Sequence, residues 1–171
     1  SVCARLVEAL EMIHAFDLTH GDVHPGNIVV RPDGSVIFVD ALDLATIDGE
    51  GYTTAYLPEN YRSLDVRQRD IYGLIRIVEE VLLEGPEWPS GHNPEGLQTI
   101  CSKLLAQEME LDLALLGKPL ADLQNPGGSP GIPRFSLVVP DPGLSGLKDG
   151  QTFRGDNGRF RLQVRYDRSN R

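Results

Sequence analysis

Residues 20–27 read His-Gly-Asp-Val-His-Pro-Gly-Asn, and residues 39–42 read Val-Asp-Ala-Leu. Two short β-rich runs join these stretches, and the sequence Pro-Asp-Gly at 32–34 separates the runs. This is a turn sequence, because proline presets φ and glycine accepts a positive φ. The pattern predicts a β-hairpin that folds the chain back on itself. Asp40 would then lie beside Asn27, although thirteen residues separate the two along the chain.

Helical periodicity flanks the predicted hairpin. Apolar residues recur at three- and four-residue steps, which is typical of helices with one buried face. The predicted helices cover residues 2–15, about 70–83, 97–105 and 111–123, the last interrupted at Gly117 and Pro119, and the hairpin strands cover 27–31 and 35–39. Residues 40–69 lack sustained periodicity, so we predict a long functional loop there.

The C-terminal part of the chain changes character. A run rich in Gly and Pro at 125–133 predicts a linker between a body at 1–124 and a β-rich segment at 134–171. Two β-like runs lie within that segment, at 135–139 and 159–166. Thirty-eight residues can bury little core alone, so we expect the segment to pack on the body or on chain outside this sequence. The predicted fold class is α+β and mainly helical.

Charge divides at the same place. The 171-residue chain has a formal net charge of -9, yet residues 1–124 hold 8 Lys and Arg against 21 Asp and Glu, whereas residues 125–171 hold 8 against 4. An acidic body argues against nucleic acid as a partner over most of the surface, and only the basic tail stays open to it. No run approaches the roughly 20 apolar residues of a membrane span. Cys3 and Cys101 have apolar neighbours, which predicts buried free thiols rather than a disulfide and favours a cytoplasmic location.

The two quoted stretches resemble the catalytic loop H-x-D-x-x-x-x-N and the downstream metal-binding D-F-G element of protein kinases and their relatives. Two further stretches match in order. Residues 54–59, Thr-Ala-Tyr-Leu-Pro-Glu, resemble the end of an activation segment, and residues 69–74, Arg-Asp-Ile-Tyr-Gly-Leu, resemble the start of the central helix. The resemblance covers roughly residues 1–124 and implies the C-terminal lobe of a kinase domain.

The resemblance also implies roles for individual residues. Asp22 corresponds to the base that receives the acceptor's proton, and Asn27 and Asp40 correspond to the ligands of the magnesium ion that accompanies ATP. His24 stands where protein kinases usually carry a lysine that neutralises the transferring phosphoryl group, which a histidine does when protonated or by hydrogen bonding. The implied supporting residues are His20 and Asp70, around the catalytic loop, and Glu59, at the end of the activation segment.

The individual residues of these motifs are compatible with three functions. The His-Gly-Asp and His-Pro-Gly-Asn elements are closer to small-molecule kinases of the aminoglycoside phosphotransferase type and to UbiB-like kinases. The Leu-Pro-Glu and Asp-Ile-Tyr-Gly-Leu elements favour a bacterial Ser/Thr protein kinase, which is the function we predict. Ala41 and Leu42 replace the Phe and Gly of D-F-G, and residues 109–116 contain no Arg to pair with Glu59. These departures keep a non-catalytic scaffold as the third possibility.

The N-terminal lobe that clamps ATP has no counterpart in this sequence. The glycine-rich phosphate loop, the strand lysine and the helix glutamate that hold the nucleotide phosphates in the family would all precede residue 1. Residue 1 is Ser and the chain opens directly in a helical pattern, so we expect a piece of a longer protein. The predicted partners are ATP, a protein substrate and the missing lobe, and this piece alone is expected to be inactive. His14 and His92 are predicted to be ordinary surface or core residues.

Overall fold

A computed structural model describes residues 2–32, 34–41, 53–84, 94–122, 134–139, 152–154 and 161–166. Their fold is α+β, as predicted. The helices are α1 (Val2–Ala15), α2 (Val66–Glu84), α3 (Glu95–Leu105) and α4 (Ala114–Asp122), and the strands are β1 (Ile28–Val30), β2 (Val36–Phe38), β3 (Arg134–Val139), β4 (Thr152–Arg154) and β5 (Arg161–Tyr166). Single 3-10 turns cover Pro25–Asn27, Thr54–Tyr56 and Tyr61–Ser63.

The four helices pack around one apolar core. Helix α2 contacts α1 and α3, and α4 contacts α1 and α3. The fully buried members of the core include Val7, Leu10, Ile13, Leu74, Ile75, Leu104, Leu116 and Leu120, with Phe38 of the hairpin. Burying one such side chain contributes about 2 kcal/mol to the free energy of unfolding. The helical core is therefore the platform on which the loop at residues 20–27 rests.

Helix α2 begins one turn earlier than predicted. Asp65 Oδ1 accepts a hydrogen bond from the Gln68 backbone N–H at 2.7 Å, and Gln68 Oε1 accepts one from the Asp65 backbone N–H at 3.1 Å. This reciprocal pair is a capping box, which satisfies two backbone donors at the helix start. The predicted start near Asp70 is wrong, because the apolar stripe alone does not reveal the polar cap that precedes it.

Helix α4 also differs from its prediction. It runs from Ala114 to Asp122 without the interruption expected at Gly117 and Pro119. Leu116 and Leu120, one turn apart, are both fully buried, so packing holds the helix despite the N–H that proline lacks. Its start is fixed by Asp112, whose Oδ1 accepts a hydrogen bond from the Ala114 N–H at 2.9 Å.

The predicted hairpin is present. Strands β1 and β2 pair antiparallel, with Ile28 opposite Phe38 and Val30 opposite Val36. Gly34 in the turn has a φ of +74°, a conformation that favours glycine. Beyond the strands, the Val39 N–H donates to the Asn27 carbonyl at 2.9 Å. The hairpin therefore brings the residue before Asp40 against Asn27.

The C-terminal segment packs on the body, as expected, by extending this sheet. The strand order is β1-β2-β3-β5-β4. Strand β3 pairs parallel to β2 and to β5, and β4 pairs antiparallel to β5. The sequence predicted β3 and β5 within a few residues of their ends but missed β4, which is only three residues long. The predicted linker at 125–133 lies outside the described residues.

The loop predicted over 40–69 is shorter than expected at its C-terminal end, where regular structure begins before residue 69. Two 3-10 turns and the first residues of α2 fall within that range, and residues 42–52 lie outside the described part of the chain. None of the helices in the described ranges combines the length and the apolar content that a membrane span requires.

Candidate active-site loop

A buried carboxylate on α2 holds the start of the loop. The backbone N–H groups of His20 and Gly21 each donate to Asp70 at 2.7 Å, to Oδ2 and Oδ1 respectively. Asp70 is only 1% exposed, and hydrogen bonds to a charged, buried acceptor are among the stronger ones in proteins. Gly21 has a φ of +90°, which a side chain would strain, so glycine is needed where the chain turns to present both donors.

A third donor reaches the same carboxylate from α1. His14 Nε2 lies 3.2 Å from Asp70 Oδ2, and both side chains are buried. The His14 carbonyl accepts a hydrogen bond from Arg67 Nη2 at 2.6 Å, which ties the end of α1 to α2. The prediction that His14 is an ordinary residue missed this role. The available signal was its position on the buried face of α1, where an imidazole needs a polar partner.

The His20 ring links the loop to the end of the hairpin. Its Nε2 donates to the Val39 carbonyl at 2.9 Å, and its Nδ1 accepts from the Asp22 N–H at 3.3 Å. These partners require the neutral ring with its proton on Nε2. Burial lowers the pKa of His20, against the opposing effect of the nearby Asp70 charge. The ring also lies 5.4 Å from that of Phe38, measured between centroids.

The structure brings Asp22 and Asn27 together. Asn27 Nδ2 donates to the Asp22 carbonyl at 3.0 Å and lies 3.4 Å from Asp22 Oδ2. Asp22 Oδ1 accepts from the Thr53 backbone N–H at 3.1 Å. The Asp22 side chain is 12% exposed, so its carboxylate is oriented by the protein but still reachable. The amide of Asn27 is turned so that its nitrogen faces Asp22.

His24 points at the same carboxylate. Its Nε2 lies 3.4 Å from Asp22 Oδ2, and its Nδ1 accepts from the Gly26 N–H at 3.1 Å, capping the 3-10 turn that carries Asn27. Because Nδ1 accepts, the proton of the ring is on Nε2, where it serves Asp22. Of the two roles that the sequence left open for His24, this arrangement uses hydrogen bonding rather than positive charge.

The 3-10 turn at Thr54–Tyr56 lies next to His24. The Tyr56 ring lies 6.1 Å from the His24 ring, and the Tyr56 hydroxyl donates to Glu80 Oε2 at 2.9 Å. A contact with α2 limits the space below the loop, since a Cβ built on Gly73 would lie 2.5 Å from the Val23 carbonyl oxygen. Only a glycine at this position allows the helix and loop to approach so closely.

Asp40 lies directly after the end of the hairpin. It is exposed and follows Val39, which is hydrogen bonded to both Asn27 and His20. Its φ of +54° is uncommon for a residue other than glycine but is tolerated by aspartate, and such backbone conformations concentrate at functional sites. The next residue, Ala41, is buried at 4% exposure and anchors the turn.

Glu59 is not part of this arrangement. Its side chain is exposed, whereas the preceding Pro58 is buried. Within the described ranges it forms no ion pair.

Comparison of the sequence with models of known protein families and with curated protein sequences finds no match. The interpretation of the loop therefore depends on its residues and on the hydrogen bonds that join them.

Proposed function

We propose that this chain is the catalytic-loop half of a protein-kinase-like phosphotransferase, which transfers a phosphoryl group from ATP to Ser or Thr of a protein substrate. One observation carries the proposal. Asp22 and Asn27 form a single hydrogen-bonded unit, and the buried Asp70 holds the backbone of the two residues that precede Asp22. Such rigid support suits phosphoryl transfer, in which positioning and electrostatics supply most of the rate enhancement.

When only donors in the described part of the chain are counted, Asp22 has one acceptor position left for a substrate. Its carboxylate already faces three donors, from Thr53, Asn27 and His24, at 3.1–3.4 Å. A carboxylate offers about four lone-pair positions. The remaining one accepts a hydrogen bond from the hydroxyl of the substrate and then takes its proton. The hydroxyl oxygen bonds to the γ-phosphorus while the bond from phosphorus to the ADP oxygen breaks.

The oxygen atoms near the hairpin suit magnesium. Because the nitrogen of the Asn27 amide faces Asp22, its oxygen is directed elsewhere, and Asp40 offers an exposed carboxylate. Within the described residues, no group of three or more His, Cys, Asp or Glu could hold a metal by itself. Magnesium is commonly held by one or two protein ligands together with substrate phosphates and water. When bound, it would neutralise charge on the phosphates, and Asn27 and Asp40 would hold it.

A phosphate-transfer assay tests the proposal. The full-length parent protein is incubated with magnesium and radiolabelled ATP in the presence of a generic protein substrate. Asp22→Asn keeps the shape of the side chain but removes its basicity, so we expect transfer to fall by about 100-fold or more. Asp65→Asn is the matched control, because Asp65 caps α2 outside the loop. Equal rates for Asp22→Asn and the unmodified parent would refute the assignment.

The same assay separates the alternatives. Transfer to aminoglycoside-type acceptors but not to protein would indicate a small-molecule kinase, which the His-Pro-Gly-Asn wording favours. Absence of magnesium-dependent nucleotide binding by the parent would indicate a scaffold. Asp40→Asn provides an independent check, because loss of one ligand should raise the magnesium concentration that half-maximal transfer requires.

A further inference from the structure

The edge of β2 beside Asp40 is covered by the chain's own C-terminal segment. β2 ends at Phe38, two residues before Asp40, and β1 occupies only one of its edges. On the other edge, Ile37 is paired with Ser136 and Phe38 with Leu137, in parallel. Without β3, this edge would present unpaired backbone groups beside the candidate site.

The burial of β2 is consistent with a three-stranded arrangement. Val36, Ile37 and Phe38 are all buried, although neighbours along a strand point to opposite faces. Val36 and Phe38 belong to the helical core, whereas Ile37 is 8% exposed without belonging to that core. In β1, by contrast, Val29 and Val30 are 44% and 48% exposed. Two of the three side chains of β1 are thus exposed, whereas all three side chains of β2, the strand that leads to Asp40, are buried.

The pairing is uneven along the sheet. β3 and β5 pair over six residues and β4 and β5 over three, but β3 meets β2 over only two. The C-terminal strands are thus paired mainly with one another. They are joined to the hairpin by a short contact at the position nearest to Asp40.

We propose that β3, β4 and β5 form a strand module that docks in cis on the edge of β2, and that this docking fixes the turn that presents Asp40. Charge favours the docking, since residues 125–171 carry an excess of four positive charges and residues 1–124 an excess of thirteen negative ones. A two-stranded hairpin is marginally stable alone, and a third strand stabilises it. The docking itself is independent of the proposed function, which enters only through the role assigned to Asp40.

Amide hydrogen exchange on the complete chain tests the proposal. Leu137→Pro removes a backbone N–H and a favourable strand conformation at the contact with β2. We expect the amides of residues 36–39 to exchange about tenfold faster in this variant, the factor that corresponds to losing roughly one hydrogen bond. The matched control is Phe153→Pro in β4, which pairs with β5 only. In the control, exchange at residues 36–39 should stay within about twofold of the unmodified chain.

Exchange of the α2 amides serves as the internal reference, because α2 lies in the helical core. Unchanged protection of residues 36–39 in Leu137→Pro would overturn the proposal, and so would an equal loss in both proline variants. Magnesium-dependent ATP binding by the parent is measured in parallel. If the unmodified parent does not bind ATP while the exchange result holds, then the proposed function fails and the docking stands.

Discussion

Asp70→Asn tests whether the Asp70 carboxylate holds the loop at residues 20–27 in place. The substitution preserves shape but replaces one carboxylate oxygen with an NH₂ group and removes the charge. In the native protein the two oxygens receive the N–H groups of His20 and Gly21, both at 2.7 Å, and His14 Nε2 lies at 3.2 Å. The amide oxygen of asparagine can keep one backbone donor. Its nitrogen then faces another donor, because all three partners are positioned to donate to a carboxylate.

The magnitude follows from these contacts. A hydrogen bond to a charged group contributes about 1.5–3 kcal/mol, and a buried donor left without an acceptor costs a further 1–3 kcal/mol. Since Asp70 is 1% exposed, water cannot replace the lost partner. We therefore expect Asp70→Asn to lower the free energy of unfolding by about 3 kcal/mol.

Urea unfolding followed by far-ultraviolet circular dichroism measures this difference by linear extrapolation. Asp65→Asn is the control, because Asp65 is exposed and asparagine is an equally good helix cap, so its effect should stay within about 0.5 kcal/mol. A loss below about 1 kcal/mol for Asp70→Asn would refute the idea that the charged carboxylate anchors the loop.

Two further predictions concern burial and close packing. Gly73→Ala should lower the free energy of unfolding by more than about 1 kcal/mol, because the new Cβ meets the Val23 carbonyl. Gly96→Ala should raise it by about 0.5–1 kcal/mol, because a Cβ there meets no atom within 4 Å and alanine favours the helix. Shifts of opposite sign in the melting temperature of the two variants are the check. The lowered pKa of His20 means that the unfolded chain binds its proton more readily, so stability should fall as the pH drops below about 6.5. His20→Gln should flatten that dependence, and an unchanged slope would refute it.

A fourth prediction concerns α1, where partial desolvation of the exposed Glu11 side chain raises its pKa and nearby Asp112 adds to the effect. The folded state then binds the proton more readily than the unfolded one, so this group's contribution to stability is lost as the pH rises above about 4.5. Glu11→Gln should raise the melting temperature at pH 7 relative to the unmodified chain and change it less at pH 4. An equal shift at the two pH values would contradict this.

The hairpin and the helical core could be predicted because each depends on local patterns. The Pro-Asp-Gly turn sets the hairpin, and the apolar stripes of α1 and α2 set the packing. The helix boundaries that the sequence misplaced depend on a polar cap in α2 and on tertiary burial in α4. The capping box at Asp65 makes α2 begin one turn earlier than predicted. The burial of Leu116 and Leu120 allows α4 to continue beyond Pro119.

The sequence predicted that Asp22 and Asn27 act together, and the structure brings these two side chains into contact, but the hydrogen bonds that support them had no signal in the sequence. The contact of His14 with Asp70 joins residues 56 apart in sequence, and that of Thr53 with Asp22 joins residues 31 apart. Neither has a local signature, because both arise from how α1 and the turn at Thr54–Tyr56 pack. The protonation pattern of His24 also depends on which nitrogen meets the Gly26 N–H, which only geometry supplies.

The charges of the loop side chains also affect whether ATP would bind before or together with magnesium. At neutral pH the described loop offers a carboxylate at Asp22, an amide at Asn27, a second carboxylate at Asp40, and imidazoles whose hydrogen bonds suit the neutral ring. A bare polyphosphate would meet net repulsion there. If the proposed function holds, a nucleotide would reach this surface already paired with its divalent counterion, and free ATP should compete poorly with the paired form.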